Sequence, residues 1–526
     1  MNNPPNSQML TIWGFVLVFF GAILYFVSKG QFIHAGVAAA LIPLLTLAHS
    51  PGKWWLVAVM LSNSGLVIPG AATKLAAPLL ASAGFIGLSL LDRISHGTKL
   101  RTLGSPQRMA GALVLLLVCL ASYRGWGLKF LGSANWGGMQ YIQLMVGLLF
   151  FFYSRQVKVG EKWLSRAIML YFGLALLPTT ITLLALYIPA LSALGAFIEI
   201  EKSTQFDPSA IGAGIKRVQS LHMPATVLSY FALLLFDRNL KVSWKVLGVG
   251  AGSFVLAGMS GHRVVIVKMG LLVAIYAVIR WRKIPQAVKL KGAVAGLCLL
   301  ASIYAFAQFL PLGFQRSLSV LPGITVGGVA RGDAQNTSDW RIEMWRKALP
   351  MIPEYLLIGR GSGFNLKEAY GAYTLASDTT TKHEFFIATH SYHNGPLWAL
   401  VDLGAPGAFL VFGFMVTAII RYGRRLTWNH SPFMGSAYAV FYSVLISYFI
   451  FFLAVFGYSG DVIQMALLAA ILEVISEQVK GASKNSQTRT EIRSGWRSLQ
   501  KTGHPNGTRH PSPDPYRLTN NPKTTV

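Results

Sequence analysis

Charged residues are scarce in this chain, and acidic ones most of all. Only 12% of its 526 residues are Asp, Glu, Lys or Arg, 53% are hydrophobic, and the mean hydropathy is +0.49. That balance is too apolar for a soluble globular chain of this length. Cysteine is nearly absent. Cys119 and Cys298 both fall inside apolar runs, which removes any argument for a disulfide framework or a cysteine-held metal. The opening MNNPPNSQML lacks a basic n-region, so the first apolar run is expected to remain as an anchor. No internal repeat is visible.

What the chain does have is a series of apolar runs, each near the roughly 20 residues that a bilayer crossing needs. Their cores include Leu10 to Val27, Ala110 to Ser122, Ala167 to Ile188, Val246 to Gly261, Val264 to Ile279, Gly292 to Leu310, Leu397 to Ile420 and Met434 to Phe456. The expected fold is an all-α polytopic transmembrane helical bundle of about 12–14 spans, because only helices or closed barrels satisfy every backbone group in lipid. The least regular stretch lies between Ala35 and Leu91, where Gly, Pro and Ser interrupt the runs.

With 46 Lys and Arg against 19 Asp and Glu, the formal net charge is +27. In a soluble chain this would point to nucleic acid. Here the cations sit in short loops, DRISHGTKLRTLGSPQR, RQVKVGEKWLSR, DRNLKVSWK, RWRKIPQAVKLK and RYGRRLTWNH, which alternate with loops poorer in Lys and Arg. That is the positive-inside pattern; it predicts cytoplasmic termini, an outward-facing long connection, no nucleic-acid partner, and attraction to anionic lipids. The predicted organisation is a transmembrane bundle over 1–310, an outward loop with binding and catalytic elements over 311–394, further transmembrane helices over 395–478, and a basic tail over 479–526 whose composition cannot bury enough to fold alone.

Within the outward loop, SDWRIEMWRKALPMIPEYLLIGRGSGF begins with cap-type Ser338 and Asp339 and sets Ile342, Trp345, Leu349 and Ile352 at helical spacing. An amphipathic helix lying on the membrane face is expected there. The glycine run around Arg360 that follows is weak as a phosphate loop, since no strand precedes it. Farther on, THSYHNGPLWALVDLGAPGAF places His393, Leu397, Leu400, Gly404 and Gly407 at offsets that share one helical face. Asn394 is a candidate N-cap with Pro396 in the first turn. A helix N-terminus attracts anions and favours a neutral imidazole, the form that accepts a proton. His390, three positions earlier, is either an alternative functional histidine or a loop residue. His383, His390 and His393 with Glu384 match no established zinc spacing. Lys268, a cation inside an apolar run, is a functional candidate by default with no assigned role.

These motifs resemble the O-antigen ligase and polymerase superfamily. HNGPLWALVDLGAPG is similar to its signature of a histidine, Asn, spaced leucines, an acidic residue filled here by Asp402, and glycines. DWRIEMWRKALPMIPEYLLIGRGSGF resembles its Arg and Trp helix leading to a Gly-rich turn, MSGHRVVIVKMGLLVAIY its span opening on Gly and Arg, and KRVQSLHMPATVLSYFALLL its outer-loop Arg before a Pro-containing span. The four follow the family order over roughly Arg217 to Phe409, and the first 190 residues or so match only as generic spans. The resemblance implies a glycosyltransferase of the bacterial inner membrane that moves a glycan from undecaprenyl diphosphate to an acceptor hydroxyl at the periplasmic face, on the lipid A core, on another glycan or on a protein, with neither nucleotide sugar nor metal. It makes His393 the essential histidine and general base, and Arg217 and Arg263 the cations that hold the diphosphate. Arg341, Arg346 and Arg360 are further candidates for that contact, with His390, Asn394 and Asp402 in support. A lipid-linked glycan flippase or other secondary transporter is the alternative. It would set polar groups at the midplane of several spans and show repeat symmetry, whereas this chain gathers them near the outer loop.

Overall fold

In a segment with no water to bond, a backbone closes its own hydrogen bonds, and the computed structural model is accordingly helical. It describes residues 50–68, 75–97, 103–126, 137–188 with 191, 194 and 197–198, then 221–363, 382–426 and 431–478. Arg217, the first run Leu10 to Val27 and the basic tail lie outside the described residues.

The helices are α1 (Pro51–Leu61), α2 (Ala77–His96), α3 (Ser105–Arg124), α4 (Gly138–Ser154), α5 (Glu161–Leu174), α6 (Leu177–Tyr187), α7 (His222–Asn239), α8 (Trp244–Ser260), α9 (Arg263–Arg280) and α10 (Gln286–Phe306). The short α11 (Leu312–Leu318) follows, then α12 (Gly328–Ala348), α13 (Ile352–Tyr355), α14 (Lys382–Ala388), α15 (Gly395–Arg424), α16 (Pro432–Ala454) and α17 (Ser459–Gln478). Seven described helices are long and apolar enough to cross a membrane: α2, α3, α5 with its continuation to Ile181, α10, α15, α16 and α17. The apolar α4 and α8 are shorter. The chain is a multi-pass membrane protein with an all-α bundle. No sheet is expected from the sequence, and the sole pairing of strands among the described residues is a two-residue antiparallel contact, Val67–Ile68 with Leu75–Ala76, in the stretch where small residues interrupt the runs.

Helices in lipid associate by close packing, not by escape from water. Here large rings do much of it. Trp55 stacks on Phe150 at 6.0 Å, Phe172 on Phe441 at 6.0 Å, and Phe151 tilts against Phe414 at 5.4 Å. α15 runs beside α3, and α16 beside α9. α10 buries no residue at all.

The bundle has two chemically distinct ends. At one, fully buried Glu473 of α17 accepts from Arg421 at 2.9 Å, Arg425 at 3.0 Å and the Tyr422 hydroxyl at 3.0 Å, and Arg155 lies 3.8 Å away. Close by, Arg280 of α9 grips Asp237 of α7 with two bonds of 2.8 and 2.7 Å. A carboxylate buried this way is stable only when its oxygens are filled. At the other end the first turns of α9 and α15 meet α12, α14 and the turn between α16 and α17.

Candidate functional site

The site is assembled where α15 breaks. Pro406 has no N–H to give the Asp402 carbonyl, and Gly404 leaves the helical region with φ 71° and ψ 177°. The freed groups find partners in the glycine turn: Arg360 N–H donates to the Val401 carbonyl at 2.8 Å, Gly361 N–H to the Asp402 carbonyl at 2.9 Å, and Ala405 N–H to the Leu356 carbonyl at 2.6 Å. Only glycine fits at the crossing. A Cβ on Gly359 would stand 2.2 Å from the Asp402 oxygen. The turn is fixed from behind by Arg124 of α3, which donates to the carbonyls of Gly359 at 2.9 Å and Ile358 at 3.1 Å. Its glycines therefore serve a helix break. A Cβ on Gly404 would stand 2.9 Å from the Gly359 nitrogen of this turn, and one on Gly407 would stand 3.1 Å from Leu116 of α3.

Asn394 caps α15, its side chain accepting from Leu397 N–H at 2.9 Å. His393 precedes that cap with φ +52°, so it does not continue the helical face that its spacing suggested, and His390, with φ +59°, lies in the loop before it. The two imidazoles have opposite surroundings. His390 is fully buried; Nδ1 lies 3.0 Å from Asp402 Oδ1 and Nε2 3.3 Å from the Gly363 carbonyl. Tyr392 donates to the same carboxylate oxygen at 3.1 Å and takes a bond from Arg360 at 3.2 Å. This pair ties the loop to the broken helix and is buried.

His393 is held by ring faces. Phe456 lies 4.6 Å away, Phe386 5.5 Å and Trp340 6.1 Å, and among the described residues no hydrogen bond engages its nitrogens. Burial among these rings, with Arg341 as the charged neighbour, pushes its pKa down from 6.5 to about 4. The imidazole is thus neutral at physiological pH, with a lone pair available.

Beside it, against the start of α9, is a cavity of about 250 Å³ lined by Arg263, Arg316 and Arg341 with Thr337, Ser338 and Val455. Arg263 donates to the Ser338 hydroxyl at 3.2 Å. Arg316 is nearly buried, paired with Asp333 and donating to the Gly261 carbonyl and, at 3.2 Å, to Thr337. Burial and the neighbouring Arg316 hold the Arg341 guanidinium below its ordinary pKa. Like charges crowded in a half-dry cavity are relieved by an anion.

α12 carries three of these groups, Thr337, Ser338 and Arg341, and begins at Gly328, so Ser338 and Asp339 lie inside it and are not its caps. The hydroxyls of Thr337 and Ser338 donate back to the carbonyls of Asp333 and Ala334 at 2.8 and 3.3 Å, which lets cap-type residues continue a helix. Ile342 and Leu349, placed on the apolar face by spacing, are exposed, while Met344 and Ala348 are buried. Trp345 reaches the Tyr392 carbonyl at 2.8 Å.

Of the residues singled out by sequence, the structure brings Arg263, Arg341 and His393 to one place. Arg360, His390 and Asp402 form the brace beneath it. Arg346 is exposed and lies about 140° around the helix from Arg341. Arg316, Asp333 and the rings of Trp340 and Phe456 were not anticipated. Arg316 stands in a short segment with no motif, and only the fold reveals its place.

The fold and site define a multi-pass helical membrane protein with an arginine-lined cavity suited to an anion and a neutral imidazole beside it. Residues 248–412 match the family model described as O-antigen ligase, so this segment is similar to that family. The matched range holds the three arginines of the cavity, His393 and the break in α15. No curated protein matches the chain.

Proposed function

We propose that this protein transfers a glycan from undecaprenyl diphosphate to an acceptor hydroxyl at the periplasmic face of a bacterial inner membrane, as an O-antigen ligase or surface-polysaccharide polymerase. The observation that carries the reading is the neutral His393 imidazole, its nitrogens unengaged by described residues, beside a cavity of three arginines. His393 takes the proton of the acceptor hydroxyl as its oxygen bonds to the anomeric carbon. The anomeric C–O bond breaks in the same step, and the electron pair leaves with the diphosphate, whose charge Arg263, Arg341 and Arg316 stabilise. Arg217 belongs to the same proposed set by its place in the motif order. The lipid A core or a growing glycan is the acceptor.

The test incubates purified protein with an undecaprenyl-diphosphate oligosaccharide, with and without acceptors, and follows free undecaprenyl diphosphate and product size. His393→Ala is expected to cut release by about 10²- to 10⁴-fold. A ladder of products marks a polymerase, and a single shift of the acceptor a ligase. A His393→Ala protein with full activity would remove the general base, and movement of the lipid across vesicles without release would make the protein a transporter.

A further inference from the structure

Lys268 lies five residues into α9, on the helix that opens with Arg263, at a depth of about 7 Å along its axis. An ammonium inside an apolar helix needs a specific partner. Its nitrogen sits 3.4 Å from the centre of the Tyr448 ring and 5.9 Å from that of Phe451, both on α16. The charged group facing it from α17 is Asp461; Tyr230 of α7 neighbours Tyr448. Asp461 in turn accepts from the Tyr458 N–H at 3.1 Å and so closes the first turn of α17. The residues between α16 and α17 are those that wall the imidazole. Phe456 lies against His393, Tyr458 stands edge-on to Phe456 at 5.8 Å, and Gly457 is packed so closely on Gly395 that a Cβ there would meet its Cα at 2.6 Å.

We propose that Lys268 is a positioning residue: by its cation–π contact with Tyr448 and its attraction to Asp461 it pins the α16–α17 turn, with Phe456, over His393. The contact also ties the helix that carries Arg263 to the wall of the imidazole, so the donor-binding cation and the base keep one spacing. The inference rests on the proposed function for its consequence in catalysis, although the pinning itself is a property of the fold. Its dependence on charge is specific. Neutralising Lys268 leaves Asp461 facing an apolar helix, neutralising Asp461 leaves an ammonium there, and neutralising both removes the mismatch.

The experiment compares Lys268→Met, Lys268→Arg, Asp461→Asn and the Lys268→Met/Asp461→Asn double variant, each as full-length protein in detergent or nanodiscs. His393 is titrated by NMR of ring-labelled histidine, its signal assigned by loss in His393→Gln. The groups facing it are Arg341 from α12 and the rings of Trp340, Phe386 and Phe456. In Lys268→Met the wall loosens, water reaches the imidazole, and its midpoint moves from about 4 toward 6.5. Lys268→Arg keeps the wild-type midpoint. In the release assay Lys268→Met and Asp461→Asn each lose about tenfold or more in kcat, Lys268→Arg stays near wild type, and the double variant loses less than the product of the two losses. A midpoint unchanged in a folded Lys268→Met protein, an Arg variant no better than Met, or multiplicative losses would each overturn the proposal. Absence of release by the wild type would instead overturn the proposed function and leave the titration to decide the role of Lys268.

Discussion

Two histidines within four residues adopt the left-handed conformation that costs a side chain about 1–2 kcal/mol each. For His390 the return is a full set of bonds, to Asp402 on one nitrogen and Gly363 on the other. His393 has no such return from the described residues; its ring is clamped while its nitrogens stay open, as a group kept for a substrate should be. A neutral base has a definite pH signature. Because its folded pKa is depressed to about 4, the acid limb of kcat/KM is expected near pH 4, with no loss between pH 7 and pH 5, where an ordinary histidine would already be half protonated. The same depression means that the unfolded chain binds this proton first, so His393 makes stability rise with pH between about 4 and 6.5. Arg341 is the charged cause of the shift, after burial. In Arg341→Met the limb therefore moves to higher pH, and KM for the donor rises about 10- to 100-fold through the lost charge-assisted bond. A pH–rate profile that leaves the limb in place would separate Arg341 from His393.

At the scale of elements, the decisive event is the break in α15 and the turn that fills it. Gly359→Ala is expected to force its Cβ against the Asp402 carbonyl and to displace the N–H groups of Arg360 and Gly361 from α15, lowering stability by at least about 2 kcal/mol and abolishing transfer. Gly363→Ala is the matched control, since its Cβ would meet nothing closer than 3.5 Å. Thermal unfolding of both variants in the same detergent checks this; equal midpoints would remove the filling role. Much of this region was legible in the sequence. The N-cap Asn394 and the first-turn Pro396 follow from local pattern, and the candidates Arg263, Arg341 and His393 come together in the fold, while Arg217 lies outside the described residues. What was not legible depends on partners far along the chain: that Gly359 seats on Asp402, that Arg124 holds the turn from behind, and that Arg316 enters the cavity. The start of α12 was misplaced for a local reason, because Thr337 and Ser338 bond to their own helix where free hydroxyls would have capped a new one.

The whole molecule sets a cationic clasp at one end and the imidazole site at the other, with α9 linking Arg280 in the first to Arg263 in the second. The loops richest in Lys and Arg join helices at the clasp end. Arg238, at the end of α7, lies over Phe433 at the start of α16, and Ser431 before α16 donates to Glu161 at the start of α5. If positive residues select the cytoplasm, the clasp faces inward and the cavity outward, as the proposed transfer at the periplasmic face requires. Single cysteines placed in a protein with Cys119 and Cys298 changed to Ser decide it. Lys241→Cys, exposed between α7 and α8 at the clasp end, should react with a membrane-impermeant maleimide only after spheroplasts are opened. Asn336→Cys, exposed on α12 at the site end, should react in intact spheroplasts. The reverse pattern would put His393 on the side where the lipid-linked glycan is built, and the acceptor at the outer face would then be out of its reach.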